Sequence, residues 1–292
     1  MKPITRCFLA LACLAGRMDS TSQTIYTNQS IPANAEIFGA GNSGLPDSGG
    51  TYPPGFALPA NPGVLTMLSV TGLITLNSGL GHNNPDGIIT SGGYYGPTVN
   101  GANGYTVATT YGGISGITIP GGGALVGVFE PATGPTGTPP VSLNFNVSGI
   151  NFTRFAPQLF QTFFIGDGLT GNGCGSAQQF IVPAGATRLF LGISDAPGFD
   201  GSPGAYGDNS GAFTASFEIS GVPRLQWPQM TVNGDFAFSF QSVSNVNYLI
   251  ESTTNLVNPN WITNNQWTGD GSLKQIQFSA TNSAQFFRIG LP

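Results

Sequence analysis

The sequence predicts an all-β protein: a sandwich or jelly roll, followed by a second small β module. Three observations carry this prediction. Only 7% of the 292 residues are charged, so the Lys, Glu and Arg that clothe helix surfaces are too scarce for a helical chain. Gly (44) and Pro (22) are abundant, which suits many short strands joined by tight turns. Short apolar runs recur at regular spacing, several of them alternating polar and apolar residues, which gives a strand one buried face.

From the amino end, Lys2 and Arg6 precede the apolar stretch Cys7–Ala15. This reads as an export signal, too short to span a bilayer. Ser20-Thr-Ser22 supplies small residues for cleavage, so residues 1–22 are assigned to the leader. Cleavage before Cys13 is the competing reading and would leave a lipid-bearing amino terminus. The protein is therefore expected outside the cell or on its surface. No later apolar run reaches the ~20 residues of a membrane helix, so no membrane span is expected.

Residues 24–60 are rich in Gly, Pro, Asn and Ser, with Ala35–Phe38 as an edge strand. Val64–Val70 and Leu73–Leu76 read as a first pair of strands. Gly116–Ile119, Ala124–Phe129, Ser142–Val147, Phe160–Ile165, Gln179–Val182, Thr187–Ile193 and Ala212–Ile219 follow, the last alternating at Phe213, Ala215, Phe217 and Ile219. The first module then covers residues 23–221. A boundary falls near Gly221-Val-Pro223, because all three Trp (Trp227, Trp261, Trp267) lie beyond it. Residues 222–292 carry their own alternation at Phe236, Phe238, Phe240, Tyr248 and Ile250. Runs Lys274–Phe278 and Gln285–Ile289 follow.

Composition also bounds function. Net charge is −5 with scattered Lys and Arg, so no basic stripe exists for a nucleic acid. His82 is the only histidine, with no motif placing an acid to orient it, and no phosphate or dinucleotide loop opens a helix. An enzyme is not expected. Beyond the leader, Cys174 is the one cysteine and reads as a small loop residue, with no disulfide available.

The chemistry concentrates between Val182 and Phe213. A strand ends at Asp195, and its loop returns through Asp208-Asn209 into the next strand. Two carboxylates, one amide oxygen and nearby loop carbonyls suit calcium, which takes roughly 6–8 oxygens in flexible geometry. Zinc and copper prefer imidazole or thiolate, which this chain nearly lacks. The competing reading is that Asp-Asn-Ser-Gly is merely a turn.

Val182-Pro-Ala-Gly-Ala-Thr-Arg-Leu-Phe-Leu-Gly-Ile-Ser-Asp195, then Pro203-Gly-Ala-Tyr-Gly-Asp-Asn-Ser-Gly-Ala-Phe213, resembles the PA-I-type galactose-binding lectins of bacteria. It is closer still to a broad set of exported bacterial proteins with a lectin-like domain of that type. Phe163–Gly171 and Val70-Thr-Gly72 fit that set too, and the resemblance covers roughly residues 28–220. It implies a lectin-like, jelly-roll-type sandwich in which calcium bridges protein and sugar hydroxyls. The implied ligands are Asp195, Asp208 and Asn209, with carbonyls of Ala205 and Leu76. Implied sugar contacts are His82 and Asp86 in His82-Asn-Asn-Pro-Asp-Gly87; Tyr95, in the same loop region, offers by its own chemistry an aromatic face for a sugar ring. Three departures stand out: Asp208 replaces an Asn of the lectin motif, the loop from Asp195 to Pro203 is longer, and the His82–Gly87 run has a shifted spacing and lacks the Gln of the lectins' sugar-contact stretch. The competing readings are loop Tyr, loop His and a turn-forming Asp86. The second module, by Tyr248–Leu256, Trp261 and Gln285–Arg288, resembles the small immunoglobulin- or fibronectin-like domain that ends many such proteins. The expected function is a secreted, non-catalytic, calcium-dependent binder of extracellular glycan or polysaccharide. The alternative is a structural cell-surface or matrix protein, open to self-association, in which calcium only stabilises loops.

Overall fold

The computed structural model describes residues 23–47, 49–77, 81–91, 105–170, 175–221, 225–242, 246–279 and 284–291. The leader, Cys174 and Tyr94-Tyr95 lie outside these residues.

The chain is all-β, as its composition predicts. In order, the strands up to residue 221 are β1 (Gln23–Pro32), β2 (Gly55–Ala57), β3 (Pro62–Thr75), β4 (His82–Asn83), β5 (Ile89–Ser91), β6 (Tyr105–Ala108), β7 (Ile117–Pro120), β8 (Leu125–Glu130), β9 (Leu143–Asn144), β10 (Arg154–Phe155), β11 (Phe163–Phe164), β12 (Gln179–Ile181), β13 (Arg188–Ile193), β14 (Asp200–Gly201) and β15 (Ser210–Gly221). Beyond it come β16 (Gln226–Met230), β17 (Asp235–Gln241), β18 (Asn247–Thr253), β19 (Ile262–Thr268), β20 (Leu273–Ser279) and β21 (Phe286–Gly290).

The largest sheet runs β1-β15-β3-β12-β10, with β4 paired to β3 and β5 to β4. A four-stranded sheet, β11-β8-β13-β2, shares one apolar core with it. Phe56 of β2 meets Tyr26 of β1 and Phe217 of β15 at 5.1 Å between ring centroids, and Phe163 of β11 meets Phe180 of β12 at 5.0 Å. The two sheets therefore face each other across these rings. A third sheet, β14-β6-β7-β9, contributes Ile117 and Ile119 to the same core.

Three segments differ from the sequence expectation for physical reasons. Val64–Val70 and Leu73–Leu76 are one strand, β3, not a pair. Gly72 takes φ +105 opposite Phe213, where a Cβ would stand 2.4 Å from the Ala212 carbonyl oxygen, so this glycine continues the strand instead of turning it. Ser142–Val147 alternates like a strand, yet only Leu143–Asn144 is one. Asn144 Oδ1 then accepts the N–H groups of Asn146 (3.1 Å) and Val147 (3.2 Å), capping a single helical turn, α1 (Phe145–Ser148). Likewise Ala35–Phe38 forms isolated bridges and a 3₁₀ turn in place of an edge strand.

Beyond Gly221 the strands form two three-stranded sheets, β16-β17-β20 and β19-β18-β21. Their core holds Phe238, Phe240, Tyr248, Ile250 and Ile276, with Phe287 stacked on Phe278 at 4.9 Å. Val64 and Ile181, neighbours on β3 and β12, pack into this second core and join it to the first sheet.

Truncating Phe217 tests the facing-sheet arrangement. Phe217→Ala removes a fully buried ring that contacts Tyr26 and Phe56, and is expected to cost about 3–5 kcal/mol. Guanidinium unfolding of the full chain measures it.

Candidate functional site

The ladder between β3 and β15 ends at the pair Thr75–Ser210, so Leu76 and Asn209 lie side by side just past it. Asn209 Nδ2 donates to Asp195 Oδ2 and to the Ala33 carbonyl, each at 3.1 Å. Asp195 follows β13, whose Ile193 pairs with Leu125 of β8. Leu125 N–H in turn donates to the Pro85 carbonyl at 2.9 Å. Asn83 pairs with Ile74, and His82 Nδ1 stands 3.0 Å from Thr75 Oγ1. A closed circuit of contacts thus gathers Leu76, His82, Asp86, Asp195 and Asn209 at one end of the facing sheets. Ala205 and Asp208 belong to the loop between Asp195 and Asn209, and Asp208 is exposed there. Tyr95 lies outside the described residues.

The loop from Asp195 to Asn209 is held in unusual backbone conformations. Phe199 (φ 65) and Ala205 (φ 69) are left-handed without being glycine. Such residues cost roughly 1–2 kcal/mol each and persist only where surrounding contacts over-determine them. Here the anchor is Tyr206, fully buried directly after Ala205. Its hydroxyl donates to the Ile193 carbonyl (2.9 Å) and accepts the Asp195 N–H (3.0 Å). Its own N–H donates to Asp47 Oδ2 at 2.9 Å, and Asp47 Oδ1 takes the Gly49 N–H at 3.1 Å. Gly49 lies against Gly207 so closely that a Cβ would stand 2.4 Å from the Gly207 Cα.

Acidic groups crowd around Tyr206. Asp195 is 2% exposed, and burial pushes its carboxyl up to about 7. The Asn209 amide and the Ala196 N–H pull it back, and the charges of Asp208 and Asp47 push it up again. Glu36 is fully buried and also rises to about 7, from burial first, with Asp47 and Asp195 adding repulsion against the Asp47 N–H. Burial raises the Tyr206 phenol well above its ordinary value, with Asp195 and Glu36 adding to it. Glu36 Oε1 and Asn209 Oδ1 are buried without a hydrogen-bond partner.

Sequence reasoning missed Glu36, Asp47 and the Tyr206 hydroxyl. Glu36 sits in a segment read as an edge strand, and Asp47 in Leu-Pro-Asp-Ser-Gly looks like any turn. No spacing rule connects them to a loop so far along the chain.

Asp86 faces inward at 3% exposure. Its Oδ1 accepts the Asp167 N–H at 2.9 Å, and burial lifts its carboxyl to about 6, with the Asp167 charge also raising it. It fixes two turns to each other across the fold, a bond between residues far apart in the chain and not a local turn bond to its own backbone. Among the described residues, no group of three or more His, Cys, Asp or Glu side chains converges to hold a metal ion. The oxygens this end presents come instead from separate carboxylates, one amide and main-chain carbonyls. The Asn209 amide matters most in that set. Turning it by half a rotation would put its oxygen where Nδ2 now lies, beside Asp195 Oδ2 and the Ala33 carbonyl. Three converging oxygens of that kind repel one another unless a cation or proton joins them. As it stands, the amide turns its nitrogen and not its oxygen to Asp195 Oδ2 and the Ala33 carbonyl.

No protein-family model, no curated protein and no solved structure matches the chain. No helix among the described residues is long and apolar enough to cross a membrane.

Glu36 gives the site a pH signature. Its folded pKa is raised, so its contribution is fully present below the unfolded value near 4.5 and is lost as pH rises through about 7. Thermal unfolding without divalent cations is expected to show stability falling across that window. Glu36→Gln should remove at most about 3 kcal/mol of the fall.

Proposed function

We propose that this is a secreted, non-catalytic protein whose first module, residues 23–221, binds extracellular glycan through a calcium ion held at the Asp195–Asn209 loop. In this reading the module is a lectin-like sandwich of jelly-roll type, and residues 222–292 form an immunoglobulin- or fibronectin-like companion. The observation that carries it is the meeting at one end of the fold of Leu76, His82, Asp195, Ala205, Asp208 and Asn209. These residues are scattered over more than a hundred positions.

Asp195 and Asp208 would supply the carboxylates, Asn209 its amide oxygen, and Ala205 and Leu76 their carbonyls. Calcium tolerates such a mixed oxygen set, supplied here by a glycine-rich loop. A bound ion would hold vicinal sugar hydroxyls and at the same time neutralise the acids that burial and mutual repulsion now penalise. The left-handed Ala205 supports the reading, since it aims the peptide between Ala205 and Tyr206 in a direction few residues adopt. Asp208 is exposed on the rim, where it would meet ion and solvent together.

Calcium titration and a glycan array separate this from the structural alternative. At a hundredfold excess over Kd, calcium should stabilise the chain by about 2.7 kcal/mol against a chelator control. Asp195→Ala should fold, because it removes a carboxyl that burial already disfavours, and should lose that response. Sugar binding that disappears with chelator and in Asp195→Ala supports the lectin. Calcium stabilisation with an empty array supports a loop-stiffening role in a surface or matrix protein. No calcium response overturns both.

A further inference from the structure

Arg154 lies where the first sheet meets the second core. It stands on β10 opposite Gln179 of β12, and the same ladder continues to Thr66 on β3. Phe155 and Phe180, next along these strands, turn into the first core. Arg154 therefore projects from the opposite face, the one from which Ile181 and Val64 enter the second core. Burial lowers its guanidinium from the ordinary range, with the Tyr248 phenol of β18 acting the other way.

None of its three nitrogens reaches solvent, and none has a hydrogen-bond partner. Glu218, in the same row of the sheet but three strands over on β15, accepts from Gln23 Nε2 at 2.7 Å, and Glu251 of β18 binds Arg288 at 2.8 Å. Arg188 shows how the same chain treats a guanidinium that it pairs in part: Nη2 is bonded, while Nε is buried without a partner. It bonds Glu130 Oε2 at 3.3 Å and the Pro131 carbonyl at 3.0 Å, and lies over the Phe190 ring at 5.1 Å.

A guanidinium carries five donors and cannot shed its charge in a protein. Burying it with every donor empty is strongly unfavourable, and acceptors in fixed geometry relieve that cost. We propose that Arg154 is the receptor for an oxyanion at the junction between the two modules, a sulfate- or carboxylate-type group whose oxygens complete the guanidinium's bonds and fasten the second module to the first sheet. The site is independent of the Asp195 loop, which lies on other strand ends and takes the opposite charge.

The test is the unfolding midpoint of the full chain in sodium sulfate and in sodium glucuronate, each against sodium chloride of equal ionic strength. Arg154→Met is run beside the native chain. Sulfate stabilises folded proteins generally by exclusion, so the readout is the native shift minus the Arg154→Met shift. The expected difference is about 2–4 °C with at least one anion, because the ligand binds only the docked state. A larger difference with sulfate points to a free inorganic anion, and one with glucuronate to a sugar acid. In chloride, Arg154→Met should melt at or above the native chain, since it discards an unpaired buried charge. Equal shifts in both chains, or no shift in either, overturn the proposal. So does an Arg154→Met chain that melts well below the native one or fails to fold, because the guanidinium would then have a partner within the chain.

Discussion

The antiparallel ladder between β3 and β15 decides most of what the rest of this molecule can do. It runs from Pro62–Gly221 at one end to Thr75–Ser210 at the other, with register shifts at Ser216/Phe217 and Ser220/Gly221. Because side chains alternate across a sheet, this one register puts Leu65, Met67, Phe213 and Phe217 into the first core together. It also fixes the neighbours, since β1 pairs along β15 and β12 along β3. At its far end it delivers Leu76 and Asn209 to one place. A slip of one residue would turn the aromatic face outward and pull the loop from its partners on β13.

The loop end is under electrostatic tension that the aromatic core sustains. Glu36, Asp47 and Asp195 surround a buried tyrosine whose hydroxyl and amide are both committed to holding the loop. Two of these carboxyls are pushed to about 7, so near neutral pH the end is poised to take up or release protons. A core built only for stability would have avoided buried acids, because each charged carboxylate loses its hydration there. Their concentration at one end leaves two partnerless oxygens buried there, Glu36 Oε1 and Asn209 Oδ1.

The second module meets the first through apolar contact and one awkward cation. Val64 and Ile181 are fitted to its core as if they were its own residues. Arg154 beside them is not fitted at all. The junction is therefore complete in its apolar part and incomplete in its polar part.

Composition and periodicity were enough for the all-β class. Scarce charge left no helix surface, and the alternation at Phe213–Ile219 and at Phe236–Phe240 named core-facing residues that are buried, except Phe236, which is only partly so. Local signals failed where a single side chain competes with the pattern, as when Asn144 caps a helical turn in what reads as a strand. They also failed at Gly72, because a glycine marks a turn or a close backbone approach with the same letter. The Asp195–Asn209 loop was legible because its residues are adjacent in the chain and share one motif. Glu36 and Asp47 were not, nor was the isolation of Arg154. Burial and partnership are properties of three-dimensional neighbours, and those neighbours come from strands far apart in sequence. The chain by itself settled what kind of surface and strand each segment makes. Only the tertiary structure decided which acids share a low-dielectric end and which cation goes without a partner, because desolvation is fixed by what packs around a group and not by what precedes it.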